Sequence, residues 1–460
     1  MDGHKEDNTG PGSPASCMVR PMSSKENESS STYDVRVLGC KVNAYEAQQI
    51  RHGLELSGLR PADEGESADI VVVHTCAVTS TAVKKSRQTV RRAQKANPGA
   101  RVIVTGCAAS ENILASLQGV HARIGPREGW LTAFRDEVGD LAGEVQWDAE
   151  NLAIDTFHAH SRAFLKVQDG CDIGCTFCIV PKLRRAPRDK PLPQIAEEAK
   201  RLANSGHKEI VICGVSVGLY GKDSGGPNLA QVLQRVSAIP GVERIRLSSL
   251  HPGELTDELL DVWAASPKVL PHLHLPLQSG SDRILAAMRR NYTASEFLAA
   301  VARARKVLDN PAFNTDVITG FPGESEEDFQ ASVALSKEVG FSRMHVFPYS
   351  PRPHTRAVRL EGRLDPAIAR ERTRRLGVVG SELRLQFYDR FRGSRARVLV
   401  EDWNPESSAY RGYTERYIPV EFQGAAGLRG EIVEIRLENC RTDPVSARLQ
   451  ISASHELGNK

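Results

Sequence analysis

No run of uncharged apolar residues in this 460-residue chain reaches the ~18 that a membrane span requires; the nearest is the eleven from Ile210 to Tyr220. The first 32 residues lack the apolar core of a secretory leader. They are rich in Ser, Glu, Asn, Gly and Pro, so residues 1–33 are expected to form a disordered tail. With neither span nor leader, the chain is expected in the cytoplasm, with no membrane partner. Charge of one sign is also scarce. Sixty Lys and Arg against 57 Asp and Glu leave a net +3, a total that does not announce nucleic acid. Size is not lacking: 460 residues allow about three domains of ~150 residues, each with a buried core. The 40% hydrophobic and 25% charged fractions exclude wholesale disorder.

A reducing compartment turns nine cysteines toward metal ligation or catalysis rather than disulfides. Cys17 lies in the tail, and Cys213 and Cys440 stand alone. Cys171, Cys175 and Cys178 crowd into one loop. Cys40, Cys76 and Cys107 recur at about one strand-helix unit each.

Residues 34–145 alternate strand-like runs (35–38, 70–73, 102–104) with helical stretches (43–56, 80–96), which predicts a doubly wound parallel sheet. Each of the three spaced cysteines falls within three residues of a strand end. Right-handed crossovers bring such ends to one rim, where ligands bind in sheets of this kind. The polar stretch 146–161 reads as a linker. Six strand-helix repeats follow, with strands near 164–167, 209–212, 244–247, 272–275, 315–318 and 344–347. Six units predict a partial (β/α)6 barrel, open along one side, within a central domain of 146–385. After a basic helix at 366–391, strand-like runs at 395–400, 417–422, 431–437 and 447–451 predict a small all-β barrel at 386–455.

The stretch FLKVQDGCDIGCTFCIVP (164–181) supplies three thiolates directly after a strand and no fourth. Three cysteines on a cubane iron-sulfur cluster leave one iron open for a substrate or cofactor. Structural zinc would need a fourth Cys or His nearby; His158 and His160 are the near candidates, and both precede the strand. This loop resembles the signature of the radical S-adenosylmethionine superfamily, with Phe177 as the aromatic before the last cysteine. The resemblance implies a [4Fe-4S] cluster on the catalytic cysteines Cys171, Cys175 and Cys178. It also implies S-adenosylmethionine on the open iron and a 5′-deoxyadenosyl radical that attacks an unactivated C–H bond.

LGCKVNAYEA (38–47), HTCAVT (74–79), KKSRQ (84–88) and VTGCA (104–108) resemble the N-terminal domain of the methylthiotransferases. That likeness implies a second, sulfur-handling [4Fe-4S] cluster on Cys40, Cys76 and Cys107. Taken singly, each of these cysteines reads equally as a small buried hydrophobe. GHKEIVICGVSVGLYG (206–221), RIRLSSLHP (244–252), HLPLQSGSD (274–282), TDVITGFPGE (315–324) and HVFPYSPR (345–352) extend the resemblance. By the same analogy Gly214, Gln278 and Asp316 face the cofactor. The other readings are a turn glycine and strand-end caps, and Phe321-Pro322-Gly323 either positions or binds.

Local charge points to RNA. Lys84, Arg87, Arg91 and Lys95 form one helical stripe, and 80–97 holds no acid. Lys182, Arg184, Arg185 and Arg188 follow the cysteine loop. Nine arginines against three acids over 366–397 make a local +6. Such stripes are solvated faces or phosphate contacts. The C-terminal stretch with GYTERY (412–417) resembles the TRAM domain, an RNA-binding β-barrel. Its balance of eleven basic and eleven acidic residues over 386–460 also fits a structural cap for the open barrel.

GCKVN (39–43), KKSRQ and GYTE most resemble the branch that methylthiolates N6-threonylcarbamoyladenosine of tRNA, next to the anticodon. The isopentenyladenosine branch shows Gln-Met-Asn after its first cysteine, and the ribosomal-protein aspartate branch Pro-Lys-Asn. This chain has Lys41-Val42-Asn43. The resemblance implies the tRNA anticodon arm as partner, not DNA, and a low-potential electron donor of the flavodoxin or ferredoxin type; the sulfur donor stays unnamed. It further implies that Cys17, Cys213 and Cys440 are dispensable. Three departures stand out. His74 replaces the usual Asn and is expected to tune or cap the auxiliary cluster, Arg185 replaces a Gly, and His354 replaces a Gly after the last strand. The rival readings are the same chemistry on another substrate and a non-enzymatic RNA-binding module with structural metal.

Overall fold

A computed structural model describes residues 31–110, 113–139, 147–150, 152–157, 160–184, 186–222 and 225–450. Most of the expected tail, Cys17, His158, Arg185 and Ile451 lie outside the described residues. The first sheet is entirely parallel, in the order β2-β1-β3-β4-β5. Its strands are β1 (Thr32–Val37), β2 (Arg60–Pro61), β3 (Ile70–Thr75), β4 (Arg101–Gly106) and β5 (Ala122–Ile124). All six residues of β3 are buried, as a strand covered on both faces demands. Helix α1 (Lys41–Leu56) covers one face, with Ile50 and Leu54 against Val72 and Ile103. Helix α2 (Ser80–Ala96) covers the other, with Val83, Val90 and Ala93 against Val71, Val73 and Val104. The Thr79 hydroxyl caps α2 by accepting from the Ala82 N–H at 3.1 Å.

The segment expected to be a linker is instead packed. Trp147, Leu152, Ile154 and Phe157 are all buried. The Trp147 indole donates to Ser57 Oγ at 2.9 Å, and the Phe157 N–H donates to His207 Nε2 at 2.9 Å. Spaced apolar residues among polar ones read as linker by composition, yet each finds a slot in the neighbouring cores.

The central unit has six principal parallel strands: β6 (Arg162–Asp169), β8 (Glu209–Gly214), β9 (Arg244–Leu247), β10 (His272–His274), β11 (Ala312–Thr319) and β12 (Arg343–Pro348). A short β7 (Arg188–Asp189) pairs antiparallel with β6. They form two sheets, β7-β6-β8-β9 and β10-β11-β12. The seam between them carries the Ile245–Val269 bridge and the Leu250 N–H to His274 carbonyl bond. Among the described residues no strand joins β12 back to β6, so the six-stranded partial barrel is open there.

The C-terminal unit is a closed barrel in the order β13-β14-β15-β17-β16. Its strands are β13 (Arg395–Asn404), β14 (Ala409–Thr414), β15 (Pro419–Phe422), β16 (Ile432–Asn439) and β17 (Val445–Leu449). β14 was absent from the sequence reading because AYRGYT lacks an apolar run. Its GYTERY stretch docks on the N-terminal ends of the central strands. Arg246 donates to the Thr414 and Glu415 carbonyls at 2.7 and 2.8 Å, and its guanidinium lies 3.8 Å from the Tyr417 ring centre. Arg162 bonds both Tyr417 and Glu401. The stretch read as an RNA-binding element or a cap therefore closes the bottom of the partial barrel. No helix among the described residues is long and apolar enough to cross a membrane.

Candidate functional site: two cysteine triads after strand ends

β1, β3 and β4 are neighbours, and Cys40, Cys76 and Cys107 follow their carboxyl ends. Two glycines permit the close approach. Gly39 has φ +120°, and a Cβ there would lie 2.8 Å from Asn43 Nδ2 and 3.1 Å from Cys76 Cβ. Gly106 has φ +83°, and a Cβ would fall 2.6 Å from the Thr75 carbonyl oxygen. The Asn43 amide ties two of the ends together by donating to the Leu38 and Thr75 carbonyls at 2.7 and 2.9 Å. Ser86, the central residue of KKSRQ, donates to the Cys76 carbonyl at 3.1 Å. Cys40 is exposed, while Cys76 and Cys107 are buried, and burial pushes the Cys107 thiol up to about 11.

The second triad sits in the loop after β6. The Cys178 N–H donates to the Cys175 carbonyl at 3.2 Å, and the Cys171 N–H to the Arg184 carbonyl at 3.4 Å. Thr176 holds the loop from behind, donating through its N–H to Met288 O at 3.0 Å and through its hydroxyl to Ala287 O at 2.9 Å. Phe177 packs on a buried cluster of Ile284, Met288, Phe321 and Ala357. Phe321 of the Phe-Pro-Gly stretch thus positions the loop. Burial pushes the Cys171 and Cys178 thiols up to about 11 and about 12, so a metal taking them as thiolates would have to displace their protons.

Arg290 supplies the clearest indication of what the loop accommodates. It is buried, donates to Cys175 Sγ at 3.2 Å and to the Tyr292 hydroxyl at 3.2 Å, and leaves Nη2 buried without a partner. It forms no ion pair among the described residues. A buried guanidinium facing thiols, with no carboxylate of the described residues within ion-pair distance and only Glu254 close enough to feel its charge, fits an anionic thiolate cluster. No group of His, Cys, Asp or Glu among the described residues is drawn tight enough to hold a single metal ion. His160, a candidate fourth zinc ligand, instead meets Phe157 and Phe164 edge-on.

Residues 165–335 match the radical SAM superfamily model, and residues 32–122 match the uncharacterized protein family UPF0004. The chain is 36% identical over 421 residues to threonylcarbamoyladenosine tRNA methylthiotransferase MtaB of Bacillus subtilis, covering 88% of this chain and 93% of that one. Identity to MtaB of Aquifex aeolicus is 38% over 411 residues, 86% of this chain and 98% of the relative. The chain belongs to the radical SAM tRNA methylthiotransferase family. The tRNA-2-methylthio-N(6)-dimethylallyladenosine synthase of Zymomonas mobilis is 33% identical over 90% of this chain and 96% of its own. The radical S-adenosylmethionine methyltransferase TsrM of Kitasatospora setae shares the fold, at 14% identity and a TM-score of 0.52 over 70% of this chain and 76% of that one.

Other anticipated residues of this methylthiotransferase fall as follows. Gly214 ends β8, where a Cβ would lie 2.9 Å from Gln168 Cβ, so Gln168 fills the space it leaves. Gln278 holds a left-handed backbone, φ +63°, and bridges to β11. Asp316 is flanked by His345 Nδ1 at 3.2 Å and His274 Nε2 at 3.3 Å; although burial opposes its charge, the two imidazoles hold its carboxyl well below the usual range. His74 does not cap the auxiliary site. Its Nδ1 meets Thr105 Oγ1 at 2.8 Å and its Nε2 meets Glu46 Oε2 at 3.2 Å, so neither ring nitrogen is free.

The three basic stretches part company. Along α2, Lys84, Arg87, Arg91 and Lys95 are exposed and form no ion pair among the described residues. Arg184 is buried against Glu46 and Asp169. Of the nine arginines over 366–397, seven pair with acids: Arg372, Arg374, Arg375, Arg384, Arg392, Arg395 and Arg397. Five of their partners, Glu324, Glu326, Glu243, Glu434 and Asp443, lie far away in sequence, which is why a local charge sum missed them. Arg290 and Glu46 were missed for a related reason: nothing in their neighbours marks either as buried beside a cysteine.

Proposed function

We propose that this methylthiotransferase converts N6-threonylcarbamoyladenosine at position 37 of tRNA to its 2-methylthio derivative. The observation that carries the reading is the pair of cysteine triads, one at neighbouring strand ends and one in the radical loop, in a chain whose relatives at 36% and 38% identity carry that name. Cys171, Cys175 and Cys178 would hold the [4Fe-4S] cluster, with Gly214, Gln278 and Asp316 bordering S-adenosylmethionine. Cys40, Cys76 and Cys107 would hold a second, sulfur-handling cluster. Bound there, the cofactors supply the hydrogen-abstracting radical, the sulfur and the methyl group that turn C2–H into C2–S–CH3.

The chain's own residues organise that chemistry. Thr176, Phe177 and Phe321 hold the radical loop, Arg290 balances its charge, and Asn43 and Ser86 set the auxiliary thiols in place. The α2 stripe is the unneutralised basic face that phosphates of the anticodon arm would meet. The C-terminal barrel acts first as the bottom of the central barrel, and the division into domains at 34–145, 146–385 and 386–455 follows these roles. A low-potential flavodoxin or ferredoxin type donor would deliver the electron.

Nucleoside mass spectrometry of tRNA from cells lacking the gene tests the assignment. Loss of methylthio-threonylcarbamoyladenosine, restored by the wild-type gene, is expected. Its persistence, with loss of a methylthio-isopentenyl nucleoside instead, would move the enzyme to the substrate named for the Zymomonas relative.

A further inference from the structure

Arg184 stands between the two triads. Its guanidinium is buried and donates to both Glu46 oxygens at 2.7 and 2.6 Å, and to the Asp169 oxygens at 3.0 and 3.1 Å. Its charge is also felt at the Cys107 thiol, where it opposes the rise that burial causes. Its carbonyl accepts the Cys171 N–H. Glu46 belongs to α1 of the first sheet, whereas Asp169 ends β6 of the partial barrel. A single side chain therefore joins the helix that follows Cys40 to the strand that leads into the radical loop, and its backbone bonds one cysteine of that loop. Glu46 extends the contact to His74 at 3.2 Å and Lys166 at 2.7 Å. The ionised carboxylate only accepts, so His74 Nε2 carries the proton and Nδ1 accepts from Thr105. Two anions, Glu46 and Asp169, meet two cations, Arg184 and Lys166, and both cations contact both anions. Closed networks of this kind have one low-energy arrangement and resist sliding of one body on the other.

We propose that Arg184 is a positioning residue that locks the auxiliary triad and the radical loop at one fixed separation. Methylthiolation, which rests on the two-cluster reading above, needs that separation: the sulfur must reach the carbon from which hydrogen has just been taken, and an ångström of slippage costs rate. The planar fork matters as much as the charge. A lysine at position 184 could meet one carboxylate, but could not reproduce the bidentate grip on Glu46 while reaching Asp169.

The test compares Arg184→Lys, Arg184→Met and Glu46→Gln with wild type and with Arg374→Gln, a surface control, all as anaerobically reconstituted enzyme. Two quantities are read: the ratio of 5′-deoxyadenosine to methylthiolated nucleoside, and the dipolar coupling between the two reduced clusters by electron paramagnetic resonance. Iron per chain is measured alongside. Arg184→Met is expected to raise the ratio at least tenfold and to weaken or broaden the coupling, with iron retained. Arg184→Lys and Glu46→Gln should fall between it and wild type. Should Arg184→Met not fold, the two milder variants decide. Unchanged ratio and coupling in iron-replete variants would overturn the lock. A wild-type enzyme that shows no coupling at all would instead overturn the two-cluster reading.

Discussion

Glu209 lies at the floor of the partial barrel, wholly buried among three arginines. Arg246 Nε donates to Glu209 Oε1 at 2.8 Å, Arg244 Nε lies 2.8 Å from Oε2 but off the line of a hydrogen bond, and Arg162 stands at 3.7 Å. Burial alone would raise the carboxyl. Attraction to Arg246, Arg244 and Arg162 outweighs it and holds the group at about 2, against an ordinary 4.5. Arg244 is lowered too, to about 10, which for a base means that its charged form is disfavoured: desolvation is not fully repaid by the misaligned contact with Glu209. The Arg246 arm is thus the stabilising one. A depression of this size corresponds to about 3 kcal/mol at 1.36 kcal/mol per pKa unit. The folded value lies below the unfolded one, so this stability is full above pH about 4.5 and is lost as pH falls toward about 2. Glu209→Gln should remove it at neutral pH. Removing one partner of a buried pair by other routes costs ~3–5 kcal/mol, in agreement. Because Arg246 and Arg162 also grip the 414–417 turn, the C-terminal barrel should loosen first. Urea unfolding at pH 7 and the rate of tryptic release of the C-terminal barrel provide the measurement. A variant within ~0.5 kcal/mol of wild type, with unchanged proteolysis, would refute the reasoning.

Three further outcomes are expected. Gly214→Ala places a Cβ 2.9 Å from Gln168 Cβ and 3.0 Å from its carbonyl oxygen, which should destabilise by ~1–3 kcal/mol as overpacking; an unchanged melting curve would show that β8 and β6 part easily. Arg290→Gln removes the charge beside Cys175 and should lower the midpoint potential of the radical cluster, tenfold in the reduction equilibrium for each 59 mV, with Arg290→Lys intermediate; equal potentials in a redox titration would contradict the charge-balance account. Replacing Lys84, Arg91 and Lys95 together by Ala should weaken tRNA binding and reduce the slope of log affinity against log salt by about 2–3. Replacing the paired Arg374 and Arg375 should leave that slope within about 0.5, and the reverse ranking would place the RNA on the long C-terminal helix instead.

Local pattern was enough for the skeleton. A short β-branched run such as Ile70–Val73 reads as a strand buried on both faces, and the acid-free stripe of α2 leaves one face for the core and one for solvent. The placement of Cys171, Cys175 and Cys178 in one loop and of Cys40, Cys76 and Cys107 after neighbouring strands was legible because it depends on spacing along the chain. What the residues do to one another across the fold was not legible. Trp147 and Ile154 read as linker because burial depends on a distant surface to receive them. Arg184 read as a phosphate contact because its partners, Glu46 and Asp169, lie 138 and 15 residues away. GYTERY read as an RNA-binding motif or as part of a structural cap, and only the fold shows its turn docked beneath the central barrel.

The sequence by itself determined which thiols stand at strand ends and which share one loop, and in what order the strands that carry them are made. Only the tertiary structure decided which charges remain. Coulomb attraction and desolvation act through space, so an arginine counted as surface charge along the chain becomes, once a carboxylate from another element is folded against it, part of the interior that holds the two cysteine triads in place.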